Sequence, residues 1–236
     1  METLISIKPF LAIITASLAV ILVVASRKSP NIREFWSFLA GVVTFLIVAS
    51  MIPSVLSGVN LEYTVFQVLP GIELKFRADP LGLFFAVTAS FLWIITTAYS
   101  IGYMRSEKEH AQPRYYACFA IAVASAIGVA FSANLFTLYL FYEILSISTY
   151  PLVAHHEDKA AWEGARKYTV YLVGLSKTFL LAGVVMTYMI TGTLDFQVGG
   201  IFTTDMPSML VTATYIFILI GLAKAGMMPF HNWLPS

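Results

Sequence analysis

The residue that asks for chemistry is Glu143. It sits in NLFTLYLFYEILSISTYPLVAHHE, Asn134 to Glu157, an otherwise apolar run broken near its middle by that single carboxylate. A run of about twenty apolar residues crosses a bilayer as a helix. An ionisable group at mid-depth is costly there, so it faces a bundle interior or a water-filled path, and by default it marks function. The chain has 13 acidic residues, and the other twelve fall in loops or near the ends of hydrophobic segments. The plainer reading of Glu143 is an acid that only cross-links helices by a hydrogen bond.

Three more residues extend the chemistry. Lys177 lies near the middle of YLVGLSKTFLLAG. A lysine buried there has a tunable charge, lowered in affinity for its proton by desolvation and raised beside a carboxylate, as an ion carrier needs. The alternative is snorkelling to an interface. Lys224 lies in GLAKAGMMPFHNWLP, where Pro229 deprives the Ala225 carbonyl of its donor and Gly221 and Gly226 loosen the same turns. A helix broken inside the membrane beside a lysine is the pattern of transporter sites. The alternative is a helix that simply ends, with Lys224 in its last turn. His231 follows the break, and the imidazole is the side-chain type suited to proton transfer; a lone histidine at a helix end also serves as a structural hydrogen-bonder.

Around Glu143, Pro151 frees the Ile147 carbonyl, and Tyr139, Ser146 and Tyr150 fall at helical spacing near the acid's face. They read as a water or proton relay, or as ordinary polar packing between helices. His155-His156-Glu157-Asp158 does not read as a metal site, because adjacent histidines point to different faces of a helix.

The composition demands a membrane setting for these residues. The chain is 58% hydrophobic and 11% charged, against about a quarter charged in soluble domains. A net charge of +1 suggests no nucleic-acid partner. The single cysteine, Cys118, forms no internal disulfide and supports no multi-cysteine metal or iron–sulfur site. The first segment lacks a charged leader and a small-residue cleavage site before Arg27, so it reads as a retained helix.

Hydropathy predicts an all-α polytopic membrane protein, a single membrane domain over residues 1–236. Seven spans are expected, near 5–25, 35–53, 80–104, 114–132, 135–154, 168–190 and 208–228, the seventh discontinuous. The long loop from Ser54 to Asp79 alternates polar and apolar residues around Leu69-Pro70-Gly71 and predicts a short β-hairpin between the second and third spans. Thr191 to Pro207 reads as irregular. Lys and Arg are distributed unevenly. Arg27, Lys28, Arg33, Arg105, Lys108, Arg114, Lys159, Arg166 and Lys167 fall on one side, and Lys8, Lys75 and Arg77 on the other. The bias puts the odd-numbered loops in the cytoplasm and the N-terminus outside.

DPLGLFF…YSIGYM, NLFTLYLFYEILSISTYPLV, GARKYTVYLVG and GLAKAGMMPFHNWLP together resemble the antiporter-like membrane subunit family. That family comprises the large membrane subunits of complex I, the Mrp-type cation/proton antiporters, and the membrane arms of group 4 hydrogenases and related archaeal complexes. The resemblance runs from about residue 79 to 235, and the acid-bearing and lysine-bearing spans are specific as a pair.

The resemblance implies that Glu143 is the family's fifth-helix glutamate and Lys224 the lysine of its discontinuous seventh helix, a coupled pair whose charge state gates proton movement. It implies that His231 matches a family histidine and that Asp79 is a structural acid opening the third helix. Lys177 stands where the family leads one to expect small or polar residues. The family fold also contains a second, inverted repeat, so the sequence corresponds to its N-terminal half, with the remaining helices expected from another chain or segment.

The expectation is therefore an ion-translocating subunit, for protons or sodium, of a membrane-bound respiratory or hydrogenase-type complex. It would have no catalytic residue, cofactor or metal of its own, and would sit in a bacterial or archaeal plasma membrane among other subunits of a redox-linked complex. The rival expectation is a structural or assembly subunit whose buried charges only lock helices together.

Overall fold

The computed structural model describes residues 2–234; Met1, Pro235 and Ser236, the last two closing the GLAKAGMMPFHNWLP stretch and its end, lie outside the described residues. The helices are α1 (Lys8–Ala25), α2 (Pro30–Ala49), α3 (Ile52–Leu56), α4 (Pro80–Ser106), α5 (Gln112–Ala130), α6 (Leu135–Val153), α7 (Lys159–Tyr168), α8 (Leu181–Thr191) and α9 (Ser208–Gly221). Two π-helical stretches, Thr169–Gly174 and Ser176–Leu180, join α7 to α8 as one long helix. Among the described residues six helices are long and apolar enough to cross a bilayer: Lys8–Ala25, Pro30–Leu56, Pro80–Ser106, Gln112–Ala130, Leu135–Val153 and Lys159–Thr191. α9 is shorter, at 14 residues.

Local chemistry sets the boundaries. Proline stands in the first turn of α1, α2, α4 and α5, where its missing N–H has no helical partner to lose. Asp79 caps α4 by accepting from the Gly82 N–H at 2.7 Å, the structural role expected of it. α8 stops at Gly192, which takes a left-handed φ of 69°.

The sixth helix differs from its expected start at 168. Asp158 caps it by accepting from the Ala161 N–H at 2.7 Å, so Lys159, Arg166 and Lys167 are helical rather than loop residues. The seventh span also differs. α9 ends at Gly221, a single 3-10 turn, Ala223–Ala225, carries Lys224, and Gly226 takes φ 65°. The helix therefore breaks one turn earlier than residue 226.

The hairpin is present as β2 (Val59–Leu69) and β3 (Ile72–Ala78), turning at Pro70-Gly71 with Gly71 at φ 78°. Proline followed by a positive-φ glycine is the chemistry of a type II turn. A strand not expected from the sequence, β1 (Glu2–Ile5), pairs parallel to β2 with Leu4 opposite Leu61. The hairpin base carries Glu62 between Lys75 and Arg77, both ion-paired to it.

By internal contacts the chain divides into two compact units, Met1–Tyr63 with Lys75–Ser132, and Thr64–Leu74 with Ala133–Ser236. In the first, α1 packs on α2 and α5, and α4 on α2 and α5. Its core joins Ala16, Ala19, Ala40, Ala120 and Ala124 around Trp93; small side chains let membrane helices approach closely. A charged cluster closes one end. Arg105 bonds both carboxylate oxygens of the buried Glu34 and donates to Asn31 at 2.6 Å; the buried Arg33 donates to Gln112 at 2.7 Å and lies over the Tyr116 ring.

In the second unit α9 packs on α8 and on the second π-helical stretch, and α6 on α7. Leu135, Val184 and Leu194 form its core, with Ile72, Tyr139 and Ile218 packed against them. Gly221 is required by a close approach, since a Cβ there would lie 2.4 Å from the backbone nitrogen of Leu180.

Candidate functional site

The site lies in the second unit and is built on α6. Asn134 starts that helix by accepting from the Thr137 N–H at 2.8 Å, and its own amide donates to the Glu73 carbonyl at 2.8 Å. The hydroxyls along α6 mostly bond back to its carbonyls. Ser146 donates to Tyr142 O, Thr149 to Leu145 O and Ser148 to Leu145 O, which satisfies them inside an apolar span. Tyr139 sits in the apolar cluster with Leu135 and Val184. Of the three residues flagged around the acid, then, Ser146 and Tyr139 make ordinary helix and core contacts.

Glu143 is buried, at 8% exposure. The fully buried Ser176, from the second π-helical stretch, donates its hydroxyl to Glu143 Oε1. Glu143 Oε2 is buried with no hydrogen-bond partner among the described residues. The Ser176 hydroxyl also lies 2.7 Å from the Leu172 carbonyl. One hydroxyl offers one proton and two lone pairs. It can donate to an ionised Glu143, or accept from a protonated one while donating to Leu172. Either protonation state of the acid therefore finds a partner in the same geometry. A π-helical turn is a common device at functional sites, and here it carries the serine that meets the acid.

Lys224 meets α6 one residue earlier. Its backbone N–H donates to the Tyr142 hydroxyl at 3.1 Å, and its Nζ lies 4.8 Å from the centroid of the same ring, within cation–π reach. Tyr142 is 6% exposed. Successive residues of a helix point about 100° apart, so Glu143 addresses the π-helical stretch while Tyr142 addresses the break after α9. No ion pair joins Glu143 and Lys224 among the described residues; Tyr142 is the residue that both adjoin.

Lys177 lies elsewhere. It neighbours Ser176 in sequence, yet its side chain is exposed, where the span's apolarity leads one to expect burial. The reason is angular: with Ser176 turned inward to Glu143, the next residue turns outward. His231 is half-buried in the turns after the break, with Nδ1 buried and without a hydrogen bond among the described residues. No described contact brings it to Glu143. Beside it, Trp233 stands edge-on to Tyr168 at 5.9 Å, and Tyr168 shares a hydrogen bond with Thr149 of α6.

Sequence reasoning missed Tyr142 and Ser176. Periodicity around Glu143 points to positions three and four away, which excludes its immediate neighbour. Ser176 becomes a partner only through packing of one span on another. The available signal was adjacency, since each abuts a flagged residue, Glu143 or Lys177.

Residues 132–236 match the family model described as NADH:quinone oxidoreductase/Mrp antiporter, transmembrane. A Staphylococcus saprophyticus protein whose name assigns it as antiporter subunit mnhA2 is 28% identical over 204 residues, 85% of this chain and 25% of the relative. The Staphylococcus aureus (strain MSSA476) protein of the same name is 25% identical over 222 residues, 92% of this chain and 28% of the relative. The chain thus spans 28% or less of the length of these two curated relatives.

Solved structures share the fold. A chain of the membrane-bound sulfane sulfur reductase, an archaeal respiratory membrane complex, superposes with a TM-score of 0.82 at 22% identity, covering 98% of this chain and 47% of that one. A chain of the Mrp complex from Dietzia sp. DQ12-45-1b gives 0.76 at 20% identity, covering 97% and 42%. One from respiratory complex I of Thermus thermophilus gives 0.70 at 20% identity, covering 95% and 46%. The chain is a multi-pass membrane protein that resembles the antiporter-like membrane subunits in sequence and in fold.

Proposed function

We propose that this chain is an ion-translocating subunit, moving protons or sodium, of a membrane-bound respiratory or hydrogenase-type complex, with Glu143 and Lys224 at the centre of its charge network. Lys177 and His231 are its outlying members. The observation that carries the reading is the environment of Glu143: a buried carboxylate with one oxygen on Ser176 and the other unbonded among the described residues. A buried acid built only to hold helices together gains most when both oxygens are satisfied. An acid that changes charge gains from a partner, such as Ser176, that serves both states.

In the proposed cycle an ionised Glu143 draws the Lys224 ammonium. A proton arriving at Glu143 cancels that attraction, and the lysine returns to the Tyr142 ring and passes its own proton on. The turn between Gly221 and Gly226 gives the lysine room to move. Similarity to subunits of the Mrp complex and complex I supports membrane partner subunits and a segment or chain supplying further helices. The distribution of Lys and Arg supports an orientation with the N-terminus outside, and the reading places the chain in a bacterial or archaeal plasma membrane.

A second reading is favoured by the same Ser176 hydrogen bond, which ties α6 to the π-helical stretch and is a means of locking helices. The two readings part on Glu143→Gln, assayed as ion movement into sealed vesicles holding the intact complex. The transport reading expects assembly without ion movement. Normal ion movement with Glu143→Gln contradicts it.

A further inference from the structure

Lys177 is misplaced for a chain that meets lipid on every outer face. It lies within the Lys159–Thr191 span, no more than about 15 Å along the axis from Lys167, the nearest charged residue of that span, and about 21 Å from Thr191 at the helical rise. Neither is within reach of a snorkelling lysine stem. Its side chain is exposed and makes no hydrogen bond or ion pair among the described residues. An uncompensated ammonium at mid-depth is strongly disfavoured against acyl chains, and lipid headgroups, the anions a bilayer offers, lie at its surfaces.

The residues around Lys177 are shaped for a neighbour. Gly174, one turn earlier, is exposed, and a Cβ there would meet nothing within 4 Å. This chain's own packing does not require that glycine. Thr178, four residues on, is exposed, and its hydroxyl is satisfied by the Gly174 carbonyl at 2.7 Å. Small residues four apart let a second membrane helix approach closely. Val170, Leu181 and Val185 are exposed at 63%, 39% and 49% and carry an apolar face away from the lysine on both sides.

We infer that this face, centred on Lys177 and flanked by Gly174 and Thr178, docks a transmembrane helix of a separate subunit that presents an aspartate or glutamate at mid-depth. Charge complementarity selects the occupant: the face supplies one cation in an apolar frame, and a carboxylate on a helix is the membrane-borne group that compensates it. Solved proteins of this fold occur within multi-subunit membrane complexes. The inference stands on exposure and charge, independently of the transport role of Glu143. Ser176, the next residue, bonds that acid, so the docked helix would lie one residue from the buried site.

The test uses the intact complex in native membranes, with a photo-crosslinking amino acid in place of Thr178. Irradiation should join this chain to a different polypeptide, at an apolar segment containing Asp or Glu. Adducts only to lipid, to this same polypeptide or to a second copy of it would overturn the inference. A second measurement compares Gly174→Leu and Lys177→Met in the detergent-solubilised complex. Each should lose the crosslinked subunit while the chain's membrane insertion and helical content stay unchanged. Retention of that subunit by both variants would also overturn it. Ion movement is not the readout in either case, so failure here and failure of the transport reading are distinguishable.

Discussion

Tyr142 holds Lys224 twice: its hydroxyl accepts the lysine's backbone N–H at 3.1 Å, and its ring lies 4.8 Å from the ammonium. The break after α9 is thereby fixed to α6 at the residue next to the buried acid. Tyr142→Phe keeps the ring and should cost about 1 kcal/mol, the net worth of one hydrogen bond. Tyr142→Leu loses the ring as well and should cost about 1 kcal/mol more. Thermal unfolding in detergent checks both. In vesicles Leu should slow ion movement more than Phe does, and equal rates would mean that the ring plays no part.

Ser176→Ala removes one hydroxyl from a fully buried position and leaves the Glu143 carboxylate without its donor. Assembly should persist, because the span keeps its length and apolar faces. Stability should fall by about 1–3 kcal/mol, the cost of an unsatisfied buried polar group, and ion movement should fall with it. A variant that unfolds at the wild-type temperature would show that the hydroxyl contributes nothing.

Gly221→Ala tests the close approach beside the break. The added Cβ would lie 2.4 Å from the Leu180 backbone nitrogen, so α9 must shift and carry Lys224 with it. Overpacking of this kind costs about 1–3 kcal/mol. The control is Gly102→Ala on an exposed face of α4, where a Cβ meets nothing within 4 Å; it should be neutral or gain up to about 1 kcal/mol. Indistinguishable melting of the two variants would contradict the packing.

The membrane spans were legible because their physics is local: long apolar runs leave little choice of element, and Leu69-Pro70-Gly71 names its own turn. Lys159–Tyr168 was not, because KAAWEGARKY is polar enough to pass for a loop until the Asp158 cap is placed. The end of α9 was misjudged for a related reason. Pro229 is the obvious breaker, but the helix already stops at Gly221, where tight packing on Leu180 requires glycine. At the site, Glu143 and Lys224 stand out because charge is rare in such spans. Ser176 and Tyr142 do not, since their roles arise from which span packs on which. Lys177 shows the converse: its depth was readable and its direction was not.

The cluster at Glu34 should behave as structure. Glu34 is 3% exposed and holds Arg105, with the buried Arg33 beside it. Glu34→Gln leaves the buried Arg33 without its carboxylate neighbour and should lower the unfolding temperature in detergent. Ion movement per assembled complex should be unchanged. A loss of ion movement at full thermal stability would place this cluster in the transport path.

If Glu143 and Lys224 act as one network, a double-mutant cycle on ion movement in sealed vesicles reads the coupling between them. Glu143→Gln, Lys224→Ala and the double variant are compared with wild type at matched assembly. The double variant should be little worse than either single one, a coupling on the order of 1 kcal/mol or more for residues in one network. Strictly additive losses would contradict it.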